Sequence, residues 1–373
     1  MHVRFRCGNL LIFAVSITFA QQSQTGSSIS AREQAGLRGP VKAVIDEQIM
    51  SLPNGDQVLR TTTNYRPDGR ILEERRANPD GSEWVTSYTY RPDGRLLKTI
   101  NGNGGAKESS ETIYSYDEEG RLVEVKSGGK IHTRYRYDDK GNKTALETFD
   151  PQPLPENAAY APFWEGTEMG FAPAPGGSVT TLYNEQGTAT GAQFHDAEGN
   201  LIGHIVRKFD TEGRVTAEQQ AADAPQVNLP EELRSKLNPE QLKSVGAMMA
   251  GAQNRAISYS YDAQGRVRER RRSGGLLGEQ VTVTTYNDHG DKASERETTV
   301  MSTDTGPWNL TEAGAFIPAG KPNPPQPPLA SETQYTYQYD TYGNWTEQNV
   351  ASRPQPDEAF RPGTVVRRKV YYY

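Results

Sequence analysis

Cysteine is nearly missing. The single residue, Cys7, lies close to the start of the chain, so no disulfide framework can hold the protein together. Long apolar runs are missing too: only Leu10 to Phe19 qualifies, which excludes a bundle of membrane-spanning helices. Beyond His2, the histidines (His132, His195, His204 and His289) scatter without metal-ligand spacing, so no metal is expected. No His-Glu-x-x-His, Gly-x-Ser-x-Gly or phosphate loop occurs, and no catalytic residue or cofactor is assigned. Aliphatic residues are scarce: the hydrophobic share is 34%, and that figure counts 19 Tyr. Exchanging Tyr for Gly gives about 39%, below the ~45–50% apolar share of ordinary domains, so one large dry core is not expected. Positive charge is also short, at 41 Lys and Arg against 47 Asp and Glu, a net of −6. That balance argues against a nucleic-acid partner.

What is present begins with an address. Arg4 and Arg6 precede the apolar stretch, and small residues around Thr18-Phe19-Ala20 offer a cleavage point, so residues 1–20 read as a secretory signal peptide. Cys7 has no lipobox, and Arg4 and Arg6 are not a twin-arginine pair. Loss of those two arginines takes the mature charge from −6 to −8 and removes the only thiol. Residues 21–36, rich in Gln, Ser and Thr, read as a disordered linker. The expected destination is the periplasm or the extracellular space, with no membrane-spanning segment left after cleavage.

A repeat fills residues 37–373. An aromatic followed four residues later by Gly recurs as Tyr65 with Gly69, Tyr90 with Gly94, Tyr116 with Gly120, Tyr137 with Gly141 and Tyr183 with Gly187. It continues as Phe209 with Gly213, Tyr261 with Gly265, Tyr286 with Gly290 and Tyr339 with Gly343. Asp or Asn commonly follows the aromatic, where its side chain can bond the turn backbone, and Gly supplies the positive φ of a bulged hairpin turn. These nine glycines are therefore expected to close the structural turns of the repeat. Arg follows the Gly in five copies: Arg70, Arg95, Arg121, Arg214 and Arg266. A second row of turns lies half a repeat away, as at Asn78-Pro-Asp-Gly81 and Gly128-Gly129. About twenty strands therefore run back and forth as an antiparallel meander. Tyr88 and Tyr90, Tyr114 and Tyr116, Tyr135 and Tyr137, Tyr259 and Tyr261, and Tyr337 and Tyr339 are spaced i, i+2, so each pair shares one face.

These nine copies, cleanest at Tyr-Asp-Glu-Glu-Gly-Arg-Leu (116–122) and Tyr-Asp-Ala-Gln-Gly-Arg-Val (261–267), resemble the YD repeats of the RHS family over roughly residues 40–373. The resemblance implies a long β-meander coiling into a curved or hollow shell, as in bacterial toxin-delivery and cell-surface adhesion proteins. The core motif, self-cleaving segment and toxic domain of the long toxin members do not follow Tyr339, so toxin delivery is not carried over. The expected fold is all-β: about nine YD-type repeats curling into an open or shell-like sheet, with one small helical insertion.

Three insertions interrupt the meander, at 151–178, 229–251 and 304–330, all from the same edge. The middle one reads as two short helices, with Leu229, Leu233 and Leu237 in one stripe and Leu242, Val245 and Met249 in another. The outer two carry Tyr160, Trp164 and Phe171, and Trp308 and Phe316, among prolines. Aromatics beside carboxylates suit stacking on sugars or gripping a peptide, and equally suit plugging the shell. Arg266, Arg268, Arg270 and Arg272 fall on one face, as a grip for an acidic polysaccharide or a solvated, edge-protecting row. The leading expectation is an exported, non-catalytic binding or structural module that meets a surface glycan or protein through the insertion edge, in an oligomeric state the sequence leaves open. A carboxylate-pair glycan-cleaving enzyme and an outer-membrane barrel are the alternatives.

Overall fold

A computed structural model describes residues 30–52, 55–103, 109–149, 176–223, 254–274, 278–300 and 327–373, with 308–310, 316–318 and residues 235, 238, 239 and 242. The expected signal peptide, Tyr160, Trp164 and Phe171 lie outside the described residues, as does nearly all of the expected helical insertion. A single helical turn, α1 (Ala31–Gln34), precedes the sheet; Ser30 caps it and Glu33 bonds back to Ser30.

Alternation of Thr, Tyr, Val and Ile with polar residues favours strands throughout. They are β1 (Val41–Leu52), β2 (Gly55–Tyr65), β3 (Ile71–Ala77), β4 (Glu83–Tyr90), β5 (Leu96–Asn103) and β6 (Ser109–Tyr116). Next come β7 (Leu122–Ser127), β8 (Lys130–Tyr137), β9 (Lys143–Phe149), β10 (Ser178–Tyr183), β11 (Ala189–His195) and β12 (Leu201–Phe209). Then follow β13 (Val215–Ala222), β14 (Arg255–Tyr261), β15 (Val267–Gly274), β16 (Glu279–Tyr286) and β17 (Lys292–Val300). β18 (Trp308–Leu310) and β19 (Phe316–Pro318) pair only with each other, and β20 (Leu329–Tyr339), β21 (Trp345–Arg353) and β22 (Arg361–Tyr372) complete the series.

Each strand of the main sheet pairs antiparallel with its sequence neighbour, and the sheet does not end. β22 returns to β1, matching Val44 with Val370, Asp46 with Arg368 and Ile49 with Val365. The chain is a closed 20-stranded antiparallel β-barrel. This corrects the open or shell-like sheet expected from the repeat. The physical reason is the first strand: residues 41–52 carry no corner motif, yet they supply the partner that the last strand needs. A free edge would leave a row of unpaired backbone groups, and closure removes it. The expectation that the mature chain cannot span a membrane falls with the open sheet, because a closed barrel is one of the two backbone forms that can cross a bilayer.

The corners share one geometry. Gly69, Gly94, Gly120, Gly141, Gly187, Gly213, Gly265, Gly290 and Gly343 all take φ between +74° and +90°. Each of these glycines donates its N–H to the carbonyl three residues earlier, at 2.9–3.1 Å. They are turn residues that join successive strands along one rim, and closure of the sheet makes that rim a ring rather than the margin of an open sheet. In Asp117–Arg121 the Gly120 N–H donates to Asp117 O at 3.0 Å, and Gly120 takes φ +79°, closing a type I turn with a bulge. Asp117 Oδ1 accepts from the Arg121 N–H at 2.7 Å, and Oδ2 accepts from Arg121 Nε at 2.6 Å.

Consecutive corners are then clasped. The hydroxyls of Tyr90, Tyr116, Tyr137, Tyr261 and Tyr286 donate to the carbonyls of Ile71, Leu96, Leu122, Val215 and Val267, at 2.6–2.9 Å. In each case the arginine of the earlier corner lies over the same ring, from 4.4 Å for Arg266 over Tyr286 to 5.8 Å for Arg95 over Tyr116. Tyrosine outnumbers phenylalanine because the clasp needs the hydroxyl.

Register sorts the side chains into two walls. Every i, i+2 tyrosine pair points to the side that holds the buried residues, which curvature crowds and which is therefore the interior. Leu96, Tyr114, Leu122 and Val125 form one inner cluster, Val179, Ala192, Phe194, Ile202, Ile205 and Ile257 a second, and Leu37, Val41, Val44 and Tyr65 a third at the seam. Full burial of one such side chain contributes about 1.5–3 kcal/mol. Facing outward are charged pairs linking neighbouring strands, including Lys98–Glu111 at 2.9 Å, Arg136–Glu147 at 2.5 Å and Arg353–Glu332 at 2.5 Å.

Candidate functional site

The inner wall is uneven. The inward strand positions from β4 to β8 are aromatic, aliphatic or neutral polar, among them Trp84, Thr86, Tyr88, Thr99, Thr112 and Thr133. From β12 to β17 they include Arg207, Glu218, Arg255, Arg270, Arg272, Glu295 and Glu297. The expected row of Arg266, Arg268, Arg270 and Arg272 is divided. A bulge where Tyr261 meets Val267 breaks the alternation, so Arg266 stacks at the corner while Arg270 and Arg272 turn inward opposite Tyr259 and Ile257.

Between the two arcs lies a cavity of about 450 Å³. Its position follows from the repeat. Where five other corners place Arg after the Gly, the corner at Gly187 has Thr188; where most place Ile, Leu or Val next, it has Ala189. The following corner begins with Phe209, which has no hydroxyl to donate. Clasp and filler are thus both missing at one place, and the space they would occupy is open.

Charged groups surround that space. Arg207 Nε donates to Glu218 Oε1 at 2.7 Å, with side-chain exposures of 9% and 1%. Glu218 Oε2 accepts from the Tyr259 hydroxyl at 2.8 Å, and Arg207 Nη1 reaches Ala189 O at 3.4 Å. Burial, then the Glu218 charge, push the Tyr259 hydroxyl well above the usual phenol range, so it donates at any physiological pH. Lys143 stands where three other corners carry Leu or Ile, and its Nζ lies 4.1 Å from the Tyr183 ring centre. That contact replaces the arginine seen at clasped corners.

Two other polar groups mark the interior. Glu295 accepts from Lys292 Nζ and from the Tyr335 hydroxyl, each at 2.7 Å; although burial opposes it, these partners hold the carboxyl below its usual range. Arg368 binds Asp46 through Nε and Nη2 at 2.7 and 2.8 Å and lies 3.5 Å over the Trp345 ring.

Sequence reasoning placed the site on the insertions. Of its candidates, Tyr160, Trp164 and Phe171 fall outside the described residues, and Trp308 and Phe316 are seen only as backbone in the β18–β19 hairpin. The expected binding module working through the insertion edge is not retained, because closure turns the repeat's aromatic face and the charged cavity inward. Arg207, Glu218 and Tyr259 were not singled out as a site; the Thr188-Ala189 and Phe209 departures were the visible signal. Among the described residues lining the cavity, Glu218 is the one carboxylate.

No family model and no curated protein matches the sequence. Among solved structures, the chain is similar to a porin-like protein from Bacteroides uniformis at 12% identity, covering 90% of this chain and 98% of that one, with a TM-score of 0.31. A porin-like protein from Bacteroides vulgatus matches at 10% identity over 88% and 97%, with a TM-score of 0.21. The Photorhabdus luminescens Tc holotoxin pore matches at 14% identity and a TM-score of 0.23; the match covers 82% of this chain but only 15% of that one. At such scores neither function nor evolutionary kinship follows, and the barrel's own geometry must carry the functional reading.

Proposed function

We propose that this chain is an exported β-barrel that works through its interior, a tyrosine-lined lumen that admits small polar solutes. The observation that carries this reading is the pairing of β1 with β22, which turns the tyrosine and arginine face into an inner wall. The cavity beside Arg207 and Glu218 supports it, being a polar recess where the repeat alone would have supplied filler.

Closure also favours a second reading, an outer-membrane barrel of the porin kind, since every strand of the main sheet has two partners and part of the inner wall is charged. That reading needs an apolar outward band. On β6 to β9 the outward positions mix Ile113, Ala145 and Phe149 with Glu111, Glu124, Arg134, Arg136 and Glu147. An outward Arg at the bilayer midplane costs about 2–4 kcal/mol.

Thiol labelling tests the enclosed lumen of the first reading, in which the outer wall meets water. Gln348 faces inward beside Tyr337, and Gln338 faces outward beside Glu347. Cysteine at 348 should react with a small maleimide and resist a large polyethylene-glycol maleimide, whereas cysteine at 338 should accept both. Equal reaction of the large reagent at the two positions would refute an enclosed lumen. Fractionation of cells expressing the full chain then separates the two settings: release only by detergent supports the outer membrane, and release into aqueous extract opposes it.

A further inference from the structure

We infer that the inner wall at Glu74, Arg76 and Trp84 is a binding site for a zwitterion, a free α-amino acid with an apolar side chain. This rests on the lumen reading, since solute must reach the inner wall. Trp84 and Thr86 face inward on β4 and stand directly opposite Arg76 and Glu74 on β3, so both charges share that inner face. Trp84 is 48% exposed, whereas Tyr65 and Tyr114 on the same wall are 6% and 7% exposed. A wide ring left open where those tyrosines are buried offers a stacking face.

The two charges beside that ring do not neutralise each other. On the outer face of β3, Glu73 and Arg75 have the same i, i+2 spacing and form an ion pair at 3.4 Å, and Arg75 also pairs with Glu83 at 3.0 Å. Glu74 and Arg76 differ: among the described residues, neither head group makes an ion pair or a hydrogen bond, although each feels the other's charge. Thr61 stands between Arg76 and Asp46 in the strand register, and both carboxylate oxygens of Asp46 are taken by Arg368. Burial pushes the Glu74 carboxyl above its ordinary range, against the pull of Arg76. A half-buried carboxylate without a hydrogen bond calls for a partner. A zwitterion supplies one for each group: Glu74 accepts from its ammonium, Arg76 donates to its carboxylate, and its side chain lies on Trp84. A lone anion would satisfy only Arg76, and a lone cation only Glu74.

Calorimetric titration of the purified chain with phenylalanine, hydrocinnamate and phenethylamine tests the assignment, because the three share a ring and the last two each lack one charge. Phenylalanine should bind at least about tenfold more tightly than either. Glu74→Gln should lower phenylalanine affinity to that of hydrocinnamate, with hydrocinnamate binding and circular dichroism unchanged. Arg76→Met should bring phenylalanine down to the level of phenethylamine, and Trp84→Ala should weaken all three. Equal binding of phenylalanine and hydrocinnamate, no binding of any probe, or unaltered phenylalanine affinity in Glu74→Gln would each overturn the site. Failure here while cysteine at 348 still excludes the large maleimide refutes only the zwitterion site; loss of that selectivity refutes the lumen reading itself.

Discussion

The Asn344 side-chain amide holds the Arg38 backbone at the barrel seam. The Arg38 N–H donates to Asn344 Oδ1 at 2.7 Å, and Asn344 Nδ2 donates to Arg38 O at 2.9 Å. Asn344 is 3% exposed and its Nδ2 also donates to the Tyr372 hydroxyl at 2.8 Å; that hydroxyl in turn donates to Asp340. The last corner, the last strand and the segment before the first strand are thereby joined through one amide. Asn344→Leu should leave buried polar groups unsatisfied, at about 1–3 kcal/mol each, and lower the midpoint of chemical denaturation. An unchanged midpoint would show that the seam does not depend on this amide.

The corner clasp predicts a coupling energy. Tyr137 donates to Leu122 O at 2.8 Å, and Arg121 lies 4.9 Å from the centre of its ring. Tyr137→Phe should cost about 0.5–1.5 kcal/mol from the lost hydrogen bond. Arg121→Ala should cost more in the Tyr137 background than after Tyr137→Ala, because the cation–ring contact, about 0.5–1 kcal/mol, exists only when both are present. A double-mutant cycle by urea denaturation reads the difference, and strict additivity would count against the clasp.

The buried pair in the inner wall predicts an asymmetry. Removing one partner, as in Glu218→Gln, leaves the Arg207 charge buried and should cost about 3–5 kcal/mol. Replacing both with apolar residues, Arg207→Met with Glu218→Leu, should cost less than the single change. Equal losses in the single and double variants, measured by thermal unfolding, would show that the pair is not isolated from solvent.

Acid sensitivity follows from the corners. Asp138 is held below its ordinary value of 3.8 first by the Asn142 amide and then by the Asn142 backbone N–H. Asp93 is lowered by the backbone N–H of Arg95, and Asp210 by that of Arg214. A depressed carboxylate adds stability above its unfolded pKa and loses it as pH falls through the folded value. The corner contribution should therefore be complete above about pH 5 and disappear progressively below about pH 4. Denaturation midpoints measured from about pH 6 to about pH 2 check the window, and Asp138→Asn should flatten the slope.

Much of the fold was legible in the chain. Gly120 and its equivalents mark the corners, the spacing of Tyr114 and Tyr116 fixes which residues share a face, and strand number follows from the two rows of turns. Closure was hidden because Val41–Leu52 carries no corner and its partner, Arg361–Tyr372, lies at the other end of the sequence. The neighbour that Val370-Tyr-Tyr-Tyr373 needs is the first strand, and the Tyr373 hydroxyl donates to Tyr65 O at 2.6 Å. The site was hidden for the opposite reason. It consists of departures from the motif, Thr188, Ala189 and Phe209, which lie apart in sequence and share one space only when register brings them together with Arg207 and Glu218.

Closure of the barrel is the central claim, and a disulfide across the seam tests it most directly. Ile45 and Lys369 are opposed in the β1–β22 ladder and face outward. Cys7 is the one native thiol, so in a Cys7→Ser background Ile45→Cys with Lys369→Cys can be oxidised and read by mobility with and without reductant. A closed barrel predicts near-complete intramolecular crosslinking, and none when the second cysteine is instead at Thr180 on β10. Failure of the 45–369 pair to crosslink within one chain would contradict the closed barrel.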